Sequence, residues 1–234
     1  MSQPTGASLD TIPLFEVLDE QQRERLAQAC RWRRYDAHEQ IIDRDADTSE
    51  VHFVVDGLVR IVIYSLSGRE IAFDDLPTGQ FFGELAGIDR GRRSASVVAL
   101  KPTLVAAMNA QLFMETVCND PACAERLLTH LTGMVRRATD RIMDLSTLGA
   151  NNRVHAEILR LARPNLEADN TAKIRPIPIH SDIAARVSTA RETVARVFGQ
   201  LAQSGIVERR SDHLFVRRFD ELEEIVEEVR GDFA

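Results

Sequence analysis

Hydrophobic residues along this chain recur with different periods, and each change of period marks a new structural region. From about residue 41 to residue 109, apolar positions alternate over strand-length runs, as at Val51, Phe53 and Val55 and again from Leu58 to Tyr64. Glycines recur between these runs, and Ser67-Gly68 marks a hairpin turn. Alternation broken by glycine predicts the short strands of an all-β roll or barrel. The helical spacing from Leu18 to Cys30 predicts a short helix that covers one end of it.

A different pattern, with apolar residues at alternating steps of four and three, runs from Asp120 to Leu148. Its positions are Ala124, Leu128, Leu131, Val135, Ala138, Ile142 and Leu145. A helix that packs on its own domain usually shows a wider apolar stripe, so the narrow seam favours a parallel two-chain coiled coil over an internal packing helix. We therefore expect a homodimer joined through residues 124–145.

A second domain is predicted after the break at Gly149 to Asn152. The patterns indicate a helix from about Asn152 to Arg163, two closely spaced helices, and strands around Ile206-Val207 and Leu214 to Val216. That order is typical of a winged helix-turn-helix. The tail from Phe219 to Ala234 is acidic but carries apolar residues at helical spacing, which favours a packing helix over a partner-binding segment.

Charge is segregated along the chain. The net charge of −7 argues against a nucleic-acid partner, yet residues 180–218 contain seven arginines against four acids, and residues 219–234 contain seven acids against Arg230 alone. Salt screens charges beyond about 8 Å in the cell, so a locally basic face still binds phosphates. No apolar run approaches the roughly 20 residues of a membrane span, the first residues do not resemble a signal peptide, and the few cysteines are scattered. We expect a cytoplasmic protein without a disulfide framework or membrane contact.

Candidate ligand chemistry lies in the run Phe82-Gly83-Glu84-Leu85-Ala86 together with Arg93-Ser94, here called the Gly83 cassette. Arginine's planar fork can hold a phosphate through two hydrogen bonds, and glycine permits close approach of backbone N–H groups. Glu84 can accept a hydrogen bond from a ribose hydroxyl. The plainer alternative is that Glu84 and Arg93 form only a surface ion pair at a strand end.

Candidate DNA chemistry lies in the second of the two closely spaced helices. Thr189 to Glu192 matches a capping box, and Val194, Val197, Phe198 and Leu201 share one face, which leaves Arg191, Glu192 and Arg196 away from the core. Arginine can donate to guanine O6 and N7, and glutamate can accept from cytosine N4. The alternative is that Glu192 and Arg196 are an i,i+4 ion pair on a solvated helix.

These motifs together resemble the CRP/FNR family of bacterial transcription regulators, over about residues 12–218. The resemblance implies that Glu84 holds the ribose 2′-hydroxyl of a cyclic nucleotide, that Arg93 and Ser94 hold its phosphate, and that Gly83, Leu85 and Ala86 complete the site. It also implies that Thr189, Arg191, Glu192, Thr193 and Arg196 contact a TGTGA-type half-site of double-stranded DNA. Family members are homodimers in which ligand binding reorients the DNA-binding domains, and RNA polymerase is the expected further partner.

One departure from the family pattern bears on the choice of ligand. Ala138 and Thr139 align with a threonine-serine pair that contacts the base in cyclic-AMP-responsive members, so a methyl group replaces one hydroxyl. Thr139 can still hydrogen-bond adenine N6 or guanine O6, and Ser94 can reach a guanine amino group if the base turns over the phosphate. The effector is therefore expected to be cyclic AMP, cyclic GMP or both.

The residues disfavour four other functions. An iron-sulfur sensor needs about four clustered thiolates, whereas Cys30, Cys118 and Cys123 are scattered. A haem sensor needs a positioned His or Cys ligand, and histidines such as His52 and His130 are more often exposed or packing residues. A cupin-type enzyme needs metal ligands, but the histidines form no H-x-H pair. A regulatory module that binds nucleotide but not DNA would have no use for Arg191, Glu192 and Arg196.

We therefore predict an α+β protein that is not an enzyme and has neither a catalytic residue nor a metal site. Its expected parts are a cyclic-nucleotide-binding β-roll at residues 1–118, a dimerisation helix at 119–149, and a winged helix-turn-helix with an acidic tail at 150–234. The expected ligand is an effector, and no prosthetic cofactor is expected.

Overall fold

The computed structural model describes residues 8–65 and 70–231. It divides into two compact units between Met134 and Val135, and the long helix α4 (Pro121–Thr147) crosses the division. The predicted α+β class is confirmed, with two β-sheets in the first unit and a small three-stranded sheet in the second. Within the described ranges, no helix is both long and apolar enough to cross a membrane.

The first unit is a β-roll flanked by helices. A short 3-10 turn (Pro13–Phe15) and α1 (Glu20–Ala29) precede the sheets, and α2 (Glu84–Asp89), α3 (Ala110–Asn119) and the start of α4 complete the unit. The strands are β1 (Arg31–Tyr35), β2 (Gln40–Ile42), β3 (Val51–Asp56), β4 (Leu58–Tyr64), β5 (Glu70–Pro77), β6 (Phe81–Phe82), β7 (Ser96–Ala99) and β8 (Thr103–Met108).

Two antiparallel four-stranded sheets build the roll. Their strand orders are β1-β8-β3-β6 and β2-β7-β4-β5. The register of the first sheet sets His52 opposite Phe82, so β3 lies directly beside the strand that leads into the Gly83 cassette. Phe53 packs near the rings of Phe15, Phe81 and Phe113 in the core, which anchors this edge of the sheet.

Two sequence predictions for this unit need correction, and a third cannot be compared with the structure. Strands begin at Arg31 rather than near residue 41, because β1 carries three exposed arginines that hide its two buried positions, Trp32 and Tyr35. The segment after Gly83 is the short helix α2, not a connection within an all-β region. The predicted hairpin turn at Ser67-Gly68 lies outside the described residues.

The second unit is a winged helix-turn-helix. Its elements are α5 (Ala150–Ala162), a 3-10 turn (Arg163–Asn165), β9 (Ala172–Ile174), α6 (His180–Arg186), α7 (Arg191–Gln203), β10 (Val207–Arg209), β11 (Leu214–Val216) and α8 (Phe219–Gly231). The sheet order is β10-β11-β9, with a third strand that the sequence pattern did not indicate. Leu222 and Val226 of α8 are fully buried in this unit's core, which confirms the packing-helix prediction for the acidic tail.

Candidate functional site

Gly83 creates the turn from β6 into α2. Its φ of 82° lies in the left-handed region, which glycine adopts without steric cost. A Cβ at this position would lie 2.5 Å from Nη1 of Arg93 and 3.0 Å from the carbonyl oxygen of Glu50. Both the conformation and the close approach of Arg93 therefore require glycine.

Arg93 is buried against backbone carbonyls rather than paired with an acid. Its side chain donates three hydrogen bonds, from Nε to Thr48 Oγ1 at 3.0 Å, from Nη1 to the Gly83 carbonyl at 3.0 Å, and from Nη2 to the Glu50 carbonyl at 2.8 Å. Within residues 8–65 and 70–231, no carboxylate forms a salt bridge with this guanidinium. Burial lowers the pKa of Arg93, opposed by the charges of Glu50 and Glu84. Two of the five N–H groups of the fork are left to bind an anion.

Glu84 is equally buried in the first turn of α2. It is 4% exposed, as is Arg93, so the alternative of a surface ion pair is wrong. Burial raises the pKa of the Glu84 carboxyl, opposed by its own backbone N–H and by the charge of Arg93. A buried carboxylate gains most from a ligand hydroxyl that donates to it, because hydrogen bonds to a charged group are the strong ones.

The remaining cassette residues surround this pair. Ser94 is exposed beside Arg93, Leu85 is 39% exposed, and Ala86 lies on the buried side of α2. The structure thus brings Gly83, Glu84 and Arg93 together, and Ser94 lies next to Arg93 in the chain.

Sequence reasoning missed His52 as a structural part of this site. The ring is 6% exposed and stacks on Phe82, with centroids 5.1 Å apart and planes 9° from parallel. Burial, with a contribution from the charge of Arg93, lowers the pKa of His52 to about 3, so the ring is neutral at physiological pH. No residue that the structure describes forms a hydrogen bond with its buried Nδ1 atom. The only sequence signal was an imidazole within an apolar strand pattern, which does not separate a packing role from a haem ligand.

The seam residues of α4 form an exposed apolar stripe. Leu128, Val135 and Ile142 are about two-thirds exposed, at 64%, 66% and 64%, and Leu145 is 43% exposed. Ala124 and Leu131 pack partly against the core of the first unit. Ala138 and Thr139 are also exposed on this helix, and the Thr139 hydroxyl donates to the Val135 carbonyl at 3.0 Å.

Hydrogen bonds from two arginines fix the turn between α6 and α7. Arg153 donates from Nε to the Val187 carbonyl at 2.9 Å and from Nη2 to the Ser188 carbonyl at 3.4 Å. Arg141 of α4 donates to the Arg186 carbonyl at 2.8 Å. Ser188 has a φ of 53°, in the left-handed region. Because this turn places Ala190 at the N-cap of α7 without a side-chain cap, the predicted capping box at Thr189 is wrong.

Helix α7 buries one face and exposes the other, as predicted. Val194, Val197 and Leu201 are buried, whereas Arg191, Glu192 and Arg196 are exposed. Thr189 and Thr193 are half-buried at the start of the helix.

Arg196 is held by a residue outside its own helix. Its Nη2 donates to Oδ1 of Asn151 at 3.0 Å. Among the described residues, no ion pair joins Arg196 to Glu192, so the alternative of an i,i+4 pair is wrong.

Some of the arginines around β10 and β11 are neutralised by nearby carboxylates. Glu208 accepts from Arg210 and Arg217, and Arg218 pairs with Glu221. Arg191 and Arg209 both lie close enough to His180 to lower its pKa, after the larger effect of burial. Positive charge is therefore concentrated around the start of α7.

Two other features bear on alternative functions. In the part of the chain that the structure describes, no group of three or more His, Cys, Asp or Glu side chains is arranged to hold a metal ion. A surface cavity of about 570 Å³ lies between the first 3-10 turn, the turn before β6 and the start of α4, and the cassette residues do not line it.

Comparisons with known proteins match both units. Residues 32–120 match the family model of the cyclic nucleotide-binding domain, and residues 152–225 match that of the Crp-like helix-turn-helix domain. A cyclic AMP receptor protein of Thermus thermophilus is 34% identical over 175 residues, which is 75% of this chain and 78% of the relative. The cAMP-activated global transcriptional regulator Vfr of Pseudomonas aeruginosa is 28% identical over 188 residues, or 79% of this chain and 88% of the relative.

Solved structures give the same fold. A CooA mutant from Carboxydothermus hydrogenoformans superposes with a TM-score of 0.80 at 20% identity, covering 93% of this chain and 96% of that one. The Thermus thermophilus catabolite activator protein gives a TM-score of 0.52 at 30% identity and covers 93% and 99% of the two chains.

Proposed function

This chain belongs to the CRP/FNR family of bacterial transcription regulators, and from that premise we propose that it is a homodimer whose DNA binding is controlled by a cyclic nucleotide. The family consists of regulators, not enzymes, and the match to two of its domain models makes this chain a CRP-like regulator with a cyclic-nucleotide-binding domain and a helix-turn-helix. The observation that carries the finer proposal is the buried guanidinium of Arg93, which lies near the buried Glu84 but forms no salt bridge within residues 8–65 and 70–231.

The charge pattern of the cassette suits a cyclic phosphodiester with a ribose. Arg93 lacks an acidic partner within the described ranges, so an anionic phosphate supplies the charge that the site lacks. Glu84 is acceptor-only when ionised and needs a donor, which a ribose 2′-hydroxyl provides. Ser94 adds an exposed hydroxyl next to Arg93. We assign Gly83, Glu84, Leu85, Ala86, Arg93 and Ser94 to this site.

The base selectivity is assigned to α4. Thr139 presents one hydroxyl, which donates its hydrogen to a carbonyl of its own helix. Its oxygen can still accept from adenine N6, whereas guanine O6 would compete for the hydrogen. Ala138 contributes only a methyl group. Cyclic AMP and cyclic GMP are both candidate effectors.

The exposed seam of α4 supports the homodimer. An apolar stripe of large side chains about two-thirds exposed is costly in water, and pairing with the same helix of a second copy buries it. We place the dimer contact at residues 124–145, within domain boundaries of 1–118, 119–149 and 150–234.

DNA reading is assigned to α7. Arg191, Glu192 and Arg196 are exposed at its start and first turns, and Thr189 and Thr193 flank them. A two-fold dimer then reads an inverted repeat whose half-sites lie about one helical turn apart. RNA polymerase is the proposed further partner at promoters.

Calorimetric titration with cyclic AMP and cyclic GMP in parallel tests this function, with each titration repeated on Arg93→Leu. Saturable binding of one or both nucleotides, lost in the variant, is the expected result. DNA binding is then measured with and without nucleotide on a site that the protein selects from random duplexes. If neither nucleotide binds, or if Arg93→Leu retains a ligand-dependent gain in DNA affinity, the cassette assignment is wrong and the effector belongs to another chemical class.

A further inference from the structure

The first turn of α5 contacts a side chain of the DNA-reading helix. Asn151 is the second residue of α5, and its Oδ1 accepts a hydrogen bond of 3.0 Å from Nη2 of Arg196. The two residues are 45 positions apart in sequence, so the contact depends on how α5 packs against α7.

This packing is held by further bonds on the same turn of α5. Arg153, two residues after Asn151, donates to the carbonyls of Val187 and Ser188 in the turn before α7, and to the Leu148 carbonyl at 2.8 Å before α5. Two of these bonds tie the start of α5 to the turn that orients α7, and the third holds Arg153 to the residues just before α5. Asn151 is therefore presented to Arg196 from a fixed position.

We infer that Asn151 is a positioning residue that sets the base specificity of Arg196. This inference rests on the proposed DNA-reading role of α7. An arginine side chain has several rotatable bonds and loses rotamer freedom when it binds a base edge. Asn151 restricts that freedom before DNA arrives, and it occupies one N–H of Nη2 while other N–H groups of the fork stay available for guanine.

Arg196 has a neutral amide, Asn151, as its partner rather than a carboxylate, which supports a role in specificity rather than in charge neutralisation. Glu192 lies one helical turn before Arg196, but no ion pair joins them within the described residues. The amide oxygen holds the guanidinium without cancelling its charge, so Arg196 keeps its attraction for DNA. Glu192 likewise stays able to accept from a base.

Base discrimination by four variants tests this inference: Asn151→Ala, Arg196→Ala, the double variant, and Asn152→Ala as a matched control. Asn152 is also half-buried in the first turn of α5. The wild-type protein with its nucleotide selects a preferred site from random duplex DNA. Each variant is then titrated with that site and with its single-base substitutions, and thermal unfolding checks that the folds are equally stable.

At the base position where Arg196→Ala loses discrimination, Asn151→Ala should reduce the preference roughly threefold to tenfold, the effect of one hydrogen bond. Asn152→Ala should leave the preference unchanged, and the double variant should lose no more than Arg196→Ala. Asn151→Asp, which keeps the acceptor, should retain the preference while weakening binding to all sequences by charge repulsion.

Different results separate this inference from the proposed function. Uniform weakening of Asn151→Ala across all sequences would identify Asn151 as a phosphate contact and overturn its positioning role. Unchanged discrimination in Asn151→Ala or in Arg196→Ala, with a wild type that still selects a site, would also overturn it and leave the regulator intact. A wild type that selects no site with either nucleotide would refute DNA reading itself, and the inference with it.

Discussion

Replacing Gly83 with alanine tests whether the shape of the cassette, and not only its charge, holds the ligand. The new methyl carbon would lie 2.5 Å from Nη1 of Arg93 and 3.0 Å from the Glu50 carbonyl. Because the guanidinium is the end of a long side chain and the carbonyl is backbone, Arg93 is the group that moves. Its displacement breaks the bond from Nη1 to the Gly83 carbonyl and misplaces the N–H groups that we propose bind phosphate.

Two costs follow for the ligand-free protein. Alanine at a φ of 82° costs about 1–2 kcal/mol relative to glycine. Loss of a hydrogen bond from a charged donor costs about 1.5–3 kcal/mol. We expect the free energy of unfolding to fall by roughly 2.5–5 kcal/mol. If a misplaced Arg93 forfeits one charge-assisted bond to phosphate, nucleotide affinity falls by about tenfold or more.

Calorimetry with cyclic AMP and cyclic GMP, together with thermal unfolding, measures both effects. Gly199→Ala is the matched control, because nothing lies within 4 Å of its added methyl group and it sits in a regular helix of the other unit. The control should bind nucleotide like the wild type and be slightly more stable, since alanine favours helix by up to about 1 kcal/mol. Wild-type nucleotide affinity in Gly83→Ala, with the expected loss of stability, would refute the reasoning.

Three further substitutions test other parts of the molecule. Glu84→Gln should raise the thermal midpoint of the protein near pH 7 in the absence of nucleotide. The pKa of the Glu84 carboxyl is raised, so the folded state loses stability as pH rises and the residue ionises. The same variant should bind cyclic AMP more weakly, while its affinity for the 2′-deoxy analogue, already weaker, should not change. Lowering the pH from 7 to 5 should destabilise the wild type by about 2 kcal/mol more than His52→Phe, since the folded ring, with a pKa of about 3, stays neutral while the unfolded histidine, at 6.5, takes up a proton. If urea unfolding shows that the free energy of unfolding depends equally on pH in both proteins, the burial of a neutral His52 ring is contradicted. Val135→Glu should give monomers by sedimentation, whereas Arg136→Ala should leave the dimer intact, and a dimeric Val135→Glu would move the contact elsewhere.

The strands that the sequence predicts are those rich in apolar residues. β3 and β4 are mostly apolar runs, whereas β1 escapes prediction because Arg31, Arg33 and Arg34 are exposed around two buried aromatic residues. β9 has only three residues, one of them Lys173. Short elements depend on tertiary pairing for their stability, and a local pattern carries little of that information.

The residue types of the cassette predict its ligand chemistry, but the sequence does not predict how these residues are arranged in space. Gly83, Glu84 and Arg93 lie within eleven positions, and their residue types alone suggest a phosphate and ribose site. The acceptors of Arg93 at Thr48 and Glu50 lie more than 40 residues earlier and meet it only because β3 pairs with β6. The burial of Glu84 and Arg93 depends on that pairing, so the sequence alone does not distinguish a surface ion pair from a buried ligand site.

Helix α7 is likewise only partly predictable from the sequence. Its core face followed from the spacing of Val194, Val197 and Leu201. The position of its N-cap did not follow from the sequence. The turn that contains the left-handed Ser188 places the N-cap one residue later than the capping-box pattern indicates. Asn151, 45 residues away, could be linked to Arg196 only in three dimensions.

The geometry of the cassette bears on how a nucleotide would act as a switch under the proposed function. Arg93 is held by three hydrogen bonds from the protein itself, and Gly83 by its turn, so ordering these groups would consume little binding free energy. A preformed site binds equally well in both states of the dimer unless some other contact differs between them, and a ligand with equal affinity for two states shifts neither. If the proposed function holds, the discriminating contact would come from outside the cassette, and the exposed Thr139 of α4 is the proposed group for it. A tenfold shift of the population needs about 1.4 kcal/mol per dimer, within reach of one hydrogen bond to the base from each chain. On this proposal Arg93 would provide affinity and α4 the response.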